Sequence, residues 1–89
     1  MIQTQVTIVN KLGLHARAAA KFVACTASFS SSIQMGRDNQ MVDGKSIMSV
    51  MMLAAGKGAV LELEIDGFDE QEALLALQKL IEDCFDEPE

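Results

Sequence analysis

The pattern of apolar and polar positions predicts four β-strands. Residues 2–8 and residues 60–66 each place mostly apolar side chains at every second position, which is the period of a half-buried strand. Two shorter strands, Ser32–Met35 and Gln40–Val42, flank the turn-rich stretch Gly36-Arg37-Asp38-Asn39 and are predicted to pair as a hairpin.

Three other segments carry apolar residues at the spacing of an amphipathic helix. The first helix is predicted from about Ala16 to Ala27, and a short second one from Ile47 to about Ala54. A third follows Asp69, which can cap it with Glu72 as the capping-box partner. The buried stripe of this helix is predicted to consist of Leu74, Leu77, Leu80, Ile81 and Cys84. A frayed acidic tail, residues 86–89, is expected to end the chain.

The resulting element order is βαββαβα. Strands with one polar face and helices with one apolar stripe favour an antiparallel sheet that is covered by helices on one side. We therefore predict an α+β fold, an open-faced sandwich of a four-stranded antiparallel sheet and three helices. With 89 residues the chain is expected to form a single domain, residues 1–89, and to act as a monomer.

Composition and charge exclude several functional classes. The chain has no apolar run of membrane-spanning length and no signal peptide, so we expect a cytoplasmic protein without membrane insertion. Its two cysteines, Cys25 and Cys84, lack metal-ligand spacing and are expected to be small buried residues in helices. The net charge of −6 divides into +4 for residues 1–60 and −10 for residues 61–89. This balance argues against nucleic-acid binding, while a mildly basic face could attract an acidic protein partner.

The one histidine of the chain, His15, lies in the junction between the first predicted strand and the first predicted helix. Helix N-termini bind phosphate through unpaired N–H groups, and imidazole is a nucleophile near neutral pH. Arg17 lies two residues further on. We therefore consider a histidine that carries a phosphoryl group, held by the amides of residues 16–18 and by the Arg17 guanidinium. Such a transfer needs no metal or cofactor. From spacing alone, however, a residue that merely caps the helix or fills a loop position is the favoured interpretation of His15, because no second catalytic group is visible.

The motif Gly13-Leu14-His15-Ala16-Arg17 resembles the active-site signature of the HPr family, the histidine phosphocarriers of the bacterial phosphotransferase system. A second motif, Asp43-Gly44-Lys45-Ser46-Ile47-Met48, and the order of all elements are similar as well. Residues 10–17 and the ending Phe85-Asp86-Glu87 look most like the nitrogen-related branch, NPr. One position departs from the sugar-transport branch, which usually has proline where this chain has Ala18.

The resemblance implies a relay of phosphoryl groups. His15 would accept the group on Nδ1 from enzyme I and pass it to an enzyme IIA-type protein. Arg17, together with the amides of Ala16 and Ala18, would bind the phosphoryl group. The chain would thus be a protein substrate of other enzymes more than an enzyme itself. Ser46 matches the serine that an HPr kinase/phosphorylase modifies in some relatives, although an N-cap role is sufficient to explain it and is favoured here. The two roles can coexist.

The second helix is apolar nearly all round, so part of it is expected to form an exposed docking surface. The residues predicted to dock partners are Ala20, Lys21, Ile47, Met48, Met51 and Met52. A sugar-transport HPr, a binding module that is never phosphorylated, and a small phosphatase on a similar sandwich remain as alternatives.

Overall fold

The computed structural model describes all residues, Met1–Glu89, and contains the predicted elements in the predicted order. The strands are β1 (Ile2–Thr7), β2 (Ser32–Arg37), β3 (Gln40–Asp43) and β4 (Val60–Asp66). The helices are α1 (Ala16–Ala27), α2 (Ile47–Met52) and α3 (Glu70–Glu82), followed by a short 3₁₀ turn, Cys84–Asp86. None of the helices combines the length and apolarity needed to cross a bilayer.

The four strands form one antiparallel sheet in the order β1-β4-β2-β3. Within it, Val6 lies opposite Leu61 on β4, and Ile33 of β2 lies opposite Ile65. Because side chains alternate across a strand, this register gathers the apolar residues on one face of the sheet. The polar residues lie on the other face, as the alternating pattern predicted.

The helices cover the apolar face and close the core. Phe22 of α1 and Leu77 of α3 are fully buried against the inward side chains of the sheet. The open-faced α+β sandwich predicted from the sequence is therefore confirmed. Thr26 joins α1 to the segment before α2, because its hydroxyl donates to the Gly44 carbonyl at 2.8 Å. The Lys45 ammonium strengthens the same junction by donating to the Phe29 carbonyl at 2.8 Å.

The predicted capping box of α3 is wrong. Asp69 occupies the N-cap position, but its side chain makes no capping bond. Its carboxylate instead accepts hydrogen bonds from the backbone N–H of Ser30 (2.8 Å), the backbone N–H of Ser31 (2.9 Å) and the Ser31 hydroxyl. Asp69 thus connects the start of α3 to the loop after α1. These long-range hydrogen bonds replace the capping bond that the local motif predicted.

These bonds make one pH-dependent contribution to stability. The hydrogen bond from the Ser31 hydroxyl, followed by those from the backbone, holds the pKa of Asp69 below its ordinary value. A carboxyl with a lowered folded-state pKa stabilises the fold above its unfolded pKa, about 3.9, and loses this contribution as the pH falls through the folded value. Asp69→Asn is therefore expected to be less stable than wild type at pH 7, by a margin that shrinks below about pH 4. Urea unfolding between about pH 4 and pH 7 measures this difference in stability, with Asp83→Asn as the exposed control. A difference that does not change with pH would contradict the role assigned to the Asp69 carboxylate.

The C-terminal segment also differs from the prediction. Helix α3 ends at Glu82, so Cys84 lies outside it, and both cysteines are only half-buried. Residues Cys84, Phe85 and Asp86 all have left-handed backbone, with φ of 57°, 54° and 63°. The Phe85 ring is fully buried, so the chain turns back onto the molecule instead of fraying. The acidic tail therefore contacts the rest of the protein, through Asp86 and Glu87.

Candidate functional site

His15 is the N-cap residue of α1 and presents its ring at the helix terminus. Its backbone is extended (φ −73°, ψ 178°), and its carbonyl accepts the first backbone bond of the helix, from the Ala19 N–H at 2.8 Å. The imidazole makes no capping hydrogen bond, so a side-chain capping role is wrong. The amides of residues 16–18 precede that first bond and have no intrahelical acceptor. The positive end of the helix dipole therefore faces the region of the imidazole.

The loop before His15 is held against the segment that follows α2. The Leu14 N–H donates to the Ala55 carbonyl at 2.9 Å, and the Leu14 side chain is buried. Gly13 has a φ of 67°, and a β-carbon there would overlap the backbone of Ala55 and Gly56. Only glycine allows this left-handed conformation together with so close an approach. The glycine of the first motif thus fixes where His15 begins the helix.

A carboxylate from the C-terminal tail contacts the histidine. Nε2 of His15 lies 2.5 Å from Oε2 of Glu87, while Oε1 of Glu87 accepts a hydrogen bond from Nδ2 of Asn10 at 2.9 Å. The Glu87 side chain is 9% exposed and that of His15 is 30% exposed. Neither Asn10 nor Glu87 was among the predicted site residues. Both lay in the segments that resemble NPr, which was the one signal in the sequence that could have linked them.

The surroundings of Glu87 favour its ionised form. Burial by itself would raise the pKa of this carboxyl, but the hydrogen bonds from Asn10 and His15 and the charges of His15 and Arg17 outweigh it and lower the pKa below its ordinary value. Glu87 is therefore an ionised acceptor at neutral pH.

Arg17 lies exposed beside this contact. It lines a groove of about 300 Å³ with Leu12 and the tail residues 87–89. The Arg17 guanidinium takes part in none of the ion pairs of the chain, whereas Lys11 pairs loosely with Glu89 at 3.8 Å. An unpaired guanidinium and the first amides of a helix together form an anion-binding arrangement. The predicted phosphoryl-binding residues thus flank His15 in the structure.

Ser46 caps α2. Its backbone is extended, and its hydroxyl oxygen accepts a hydrogen bond from the Ser49 N–H at 3.3 Å. The capping interpretation of Ser46 is therefore confirmed. The side chain is half-buried.

Removing this cap has a defined cost. Ser46→Ala leaves one amide of α2 without its partner and is expected to lower the free energy of unfolding by about 1 kcal/mol. Urea denaturation followed by circular dichroism measures the change. Ser30→Ala, in the loop after α1, is the control for loss of a serine hydroxyl, because the exposed Ser30 hydroxyl makes no hydrogen bond within the chain. Equal stability of Ser46→Ala and wild type would contradict the capping role.

The predicted docking residues form an exposed apolar surface, which we call the α2 patch: Ile47, Met48, Met51 and Met52. All four are exposed, Met48 to 66% and Met52 to 78%. Of the α1 residues in the prediction, Ala20 is exposed, while the Lys21 ammonium pairs with Asp86 at 3.2 Å. Leu12, which the sequence reasoning missed, adds another exposed apolar side chain near Arg17. An apolar helix surface of this kind is typical of a site that binds other proteins.

Comparisons with known proteins find similar sequences and a similar fold. Residues 2–83 match the family model PTS-HPr, described as the PTS HPr component phosphorylation site. The phosphocarrier protein HPr of Cupriavidus necator is 55% identical over 89 residues, the whole of both chains. That of Pseudomonas aeruginosa is 57% identical over 86 residues, covering 96% of each chain. A crystal structure of HPr-C-His from Thermoanaerobacter tengcongensis superposes with a TM-score of 0.95 at 46% identity, over the full length of both chains.

Proposed function

Because the chain belongs to the HPr family of phosphotransferase-system phosphocarriers, we propose that His15 is its phosphorylated residue. In this proposal, Nδ1 of His15 accepts a phosphoryl group from an enzyme I and passes it to an enzyme IIA-type protein. The observation that carries the proposal is that Nδ1 of the ring is free to react. Nδ1 makes no hydrogen bond within the chain, and the ring lies beside unpaired helix amides and the unpaired Arg17.

The surrounding groups suit a carrier that must both accept and release its cargo. The amides of Ala16, Arg17 and Ala18 can donate hydrogen bonds to the phosphoryl oxygens, and the guanidinium can add a charge-assisted bond. Ala18 keeps an N–H that a proline at this position would lack. One helix terminus and one arginine give moderate stabilisation, because the site is open to solvent and its charges are screened. Moderate stabilisation allows transfer onward without a deep energy well.

We place the carrier in the nitrogen-related branch, with sugar transport as the alternative. The two segments that resemble this branch, residues 10–17 and residues 85–87, are in direct contact through Asn10, His15 and Glu87. Because the two segments contact each other in the folded protein, their resemblances to the nitrogen-related branch support the same assignment. The choice of enzyme I in the labelling experiment below tests this assignment.

The α2 patch would bind the partners, and its position next to α1 allows a docked protein to reach His15. Methionine side chains are flexible and suit a surface that serves more than one partner. An HPr kinase/phosphorylase acting on Ser46 would put a doubly charged group at the edge of this patch and weaken docking of enzyme I. We propose that the protein works in the cytoplasm as a monomer, with no nucleic acid, membrane or cofactor involved.

The decisive experiment is labelling with radioactive phosphoenolpyruvate and purified enzyme I, from the nitrogen-related and the sugar branch in parallel. We expect acid-labile, base-stable label on the protein, which is the behaviour of a phosphohistidine. Faster labelling by the nitrogen-related enzyme supports the branch, and faster labelling by the other enzyme favours sugar transport. No label with either enzyme would refute the phosphocarrier and favour a binding module that is never phosphorylated.

A further inference from the structure

The contact between Glu87 and His15 dictates which ring nitrogen carries the proton. An ionised carboxylate has only acceptor sites, so the bond between Oε2 of Glu87 and Nε2 of His15 requires a hydrogen on Nε2. In a neutral imidazole the other nitrogen, Nδ1, then bears the lone pair. Nδ1 is also the nitrogen without a partner in the chain.

Asn10 holds Glu87 in place for this task. The side chain of Asn10 is fully buried, and its Nδ2 donates both to the Gly13 carbonyl and to Oε1 of Glu87, each at 2.9 Å. Its orientation is fixed, because the flipped amide would place an oxygen against two other oxygens. The buried ring of Phe85 and the ion pair of Asp86 with Lys21 fasten the backbone just before Glu87. The carboxylate is therefore held from both sides.

We propose that Glu87, oriented by Asn10, is a positioning residue that keeps His15 in the tautomer with its lone pair on Nδ1. The inference rests on the proposed role of His15 as phosphoryl acceptor. Glu87 touches neither the phosphoryl group nor its donor. It acts through the histidine, as a carboxylate orients a histidine in other nucleophilic sites.

The phosphoryl transfer requires no proton transfer to or from the ring. The Nδ1 lone pair forms the new N–P bond while the bond between phosphorus and the donor breaks, its electron pair leaving with the donor. The ring becomes a phosphorylated cation that keeps its hydrogen on Nε2, and Glu87 neutralises that positive charge. When the group moves on, the N–P electron pair returns to Nδ1. The same tautomer is restored.

Glu87→Gln tests the proposal, because an amide offers only one acceptor. The new amide oxygen is expected to take the hydrogen bond from Asn10, which turns the amide nitrogen toward Nε2 of His15. That nitrogen is a donor, so the neutral ring is expected to move its hydrogen to Nδ1 and lose its nucleophilic lone pair there. Glu72→Gln is the matched control, since it makes the same change of side chain at an exposed position in the first turn of α3, where the carboxylate takes part in no ion pair.

Two readouts follow. Nitrogen NMR, at a pH where the ring is neutral, is expected to show hydrogen on Nε2 in wild type and Glu72→Gln, and on Nδ1 in Glu87→Gln. The rate of labelling by enzyme I is expected to fall about tenfold in Glu87→Gln only, by analogy with the loss of a hydrogen-bond partner that orients a metal-binding histidine. Glu87→Asp, which keeps an acceptor-only carboxylate, is expected to recover the wild-type tautomer at least in part.

The outcomes separate this proposal from the proposed function. An unchanged tautomer in Glu87→Gln, or hydrogen on Nδ1 in wild type, would overturn the role of Glu87 whether or not the protein is labelled. Wild type that keeps hydrogen on Nε2 but accepts no label would refute the phosphocarrier, while leaving control of the tautomer by Glu87 established.

Discussion

His15→Ala is expected to abolish labelling from phosphoenolpyruvate completely while the protein remains folded. No other histidine exists in the chain to replace it, and neither cysteine lies among the groups around the site. The fold should survive because the half-exposed ring makes no capping bond, and Glu87 keeps its hydrogen bond from Asn10. Labelling combined with circular dichroism and urea unfolding measures both properties. Label that persists in a folded His15→Ala protein would refute His15 as the acceptor.

Two arginine variants test whether the Arg17 guanidinium binds the phosphoryl group. Arg17→Ala removes a charge that contacts no other side-chain acceptor, and we expect it to slow labelling roughly a hundredfold, as when one charge-stabilising donor is lost from an enzyme site. Arg37→Ala removes the same charge from the groove on the uncovered face of the sheet and should label at the wild-type rate. Equal rates for the two variants would mean that Arg17 does not bind the phosphoryl group.

Phe85→Ala is expected to lower the free energy of unfolding by about 3–5 kcal/mol, because it empties a fully buried aromatic position. This is a large share of the roughly 5–15 kcal/mol that stabilises a typical domain. The variant should also release the tail, since the Phe85 ring is what anchors the left-handed turn before Glu87. Urea unfolding measures the first effect, and nitrogen NMR of His15 measures the second.

Phe22 offers the matched comparison. It is equally buried, but it lies on α1 in the centre of the core. Phe22→Ala should lose a similar amount of stability and keep the His15–Glu87 contact. If either alanine variant fails to fold, the leucine variants, with a smaller cavity, allow the same comparison. A Phe85 variant whose histidine tautomer and stability both match wild type would contradict an anchoring role.

Local patterns in the sequence were sufficient for most of the fold. Helix α1 begins at Ala16 and ends at Ala27 as predicted, and β4 covers the predicted residues, because alternation and helical spacing report burial directly. The second helix is shorter than predicted, ending at Met52, since Leu53 and Ala54 continue the apolar pattern without continuing the helix. Periodicity therefore predicted which elements exist more accurately than it predicted where each element ends.

The errors concern polar residues whose partners are distant in the chain. Asp69 had a local capping motif, but Ser30 and Ser31, 39 and 38 positions earlier in the chain, bind its carboxylate instead. Glu87 was assigned to a frayed tail because four acidic or turn-forming residues in a row carry no sign of burial. Its partners Asn10 and His15 lie 77 and 72 positions earlier. No glycine marks the left-handed turn at residues 84–86, so composition could not reveal that the chain reverses there.

The turn at residues 84–86 decides where this protein can be modified for study. It directs the chain terminus toward the histidine, so that Glu89 borders the same groove as Arg17. An affinity tag or fluorophore attached at Glu89 would therefore lie beside Arg17, where we propose that the phosphoryl group is bound. The amino terminus pairs with Asp66 and Glu70, at the opposite end of β1 from the loop that leads to His15. Reporter groups for measuring partner affinities belong there.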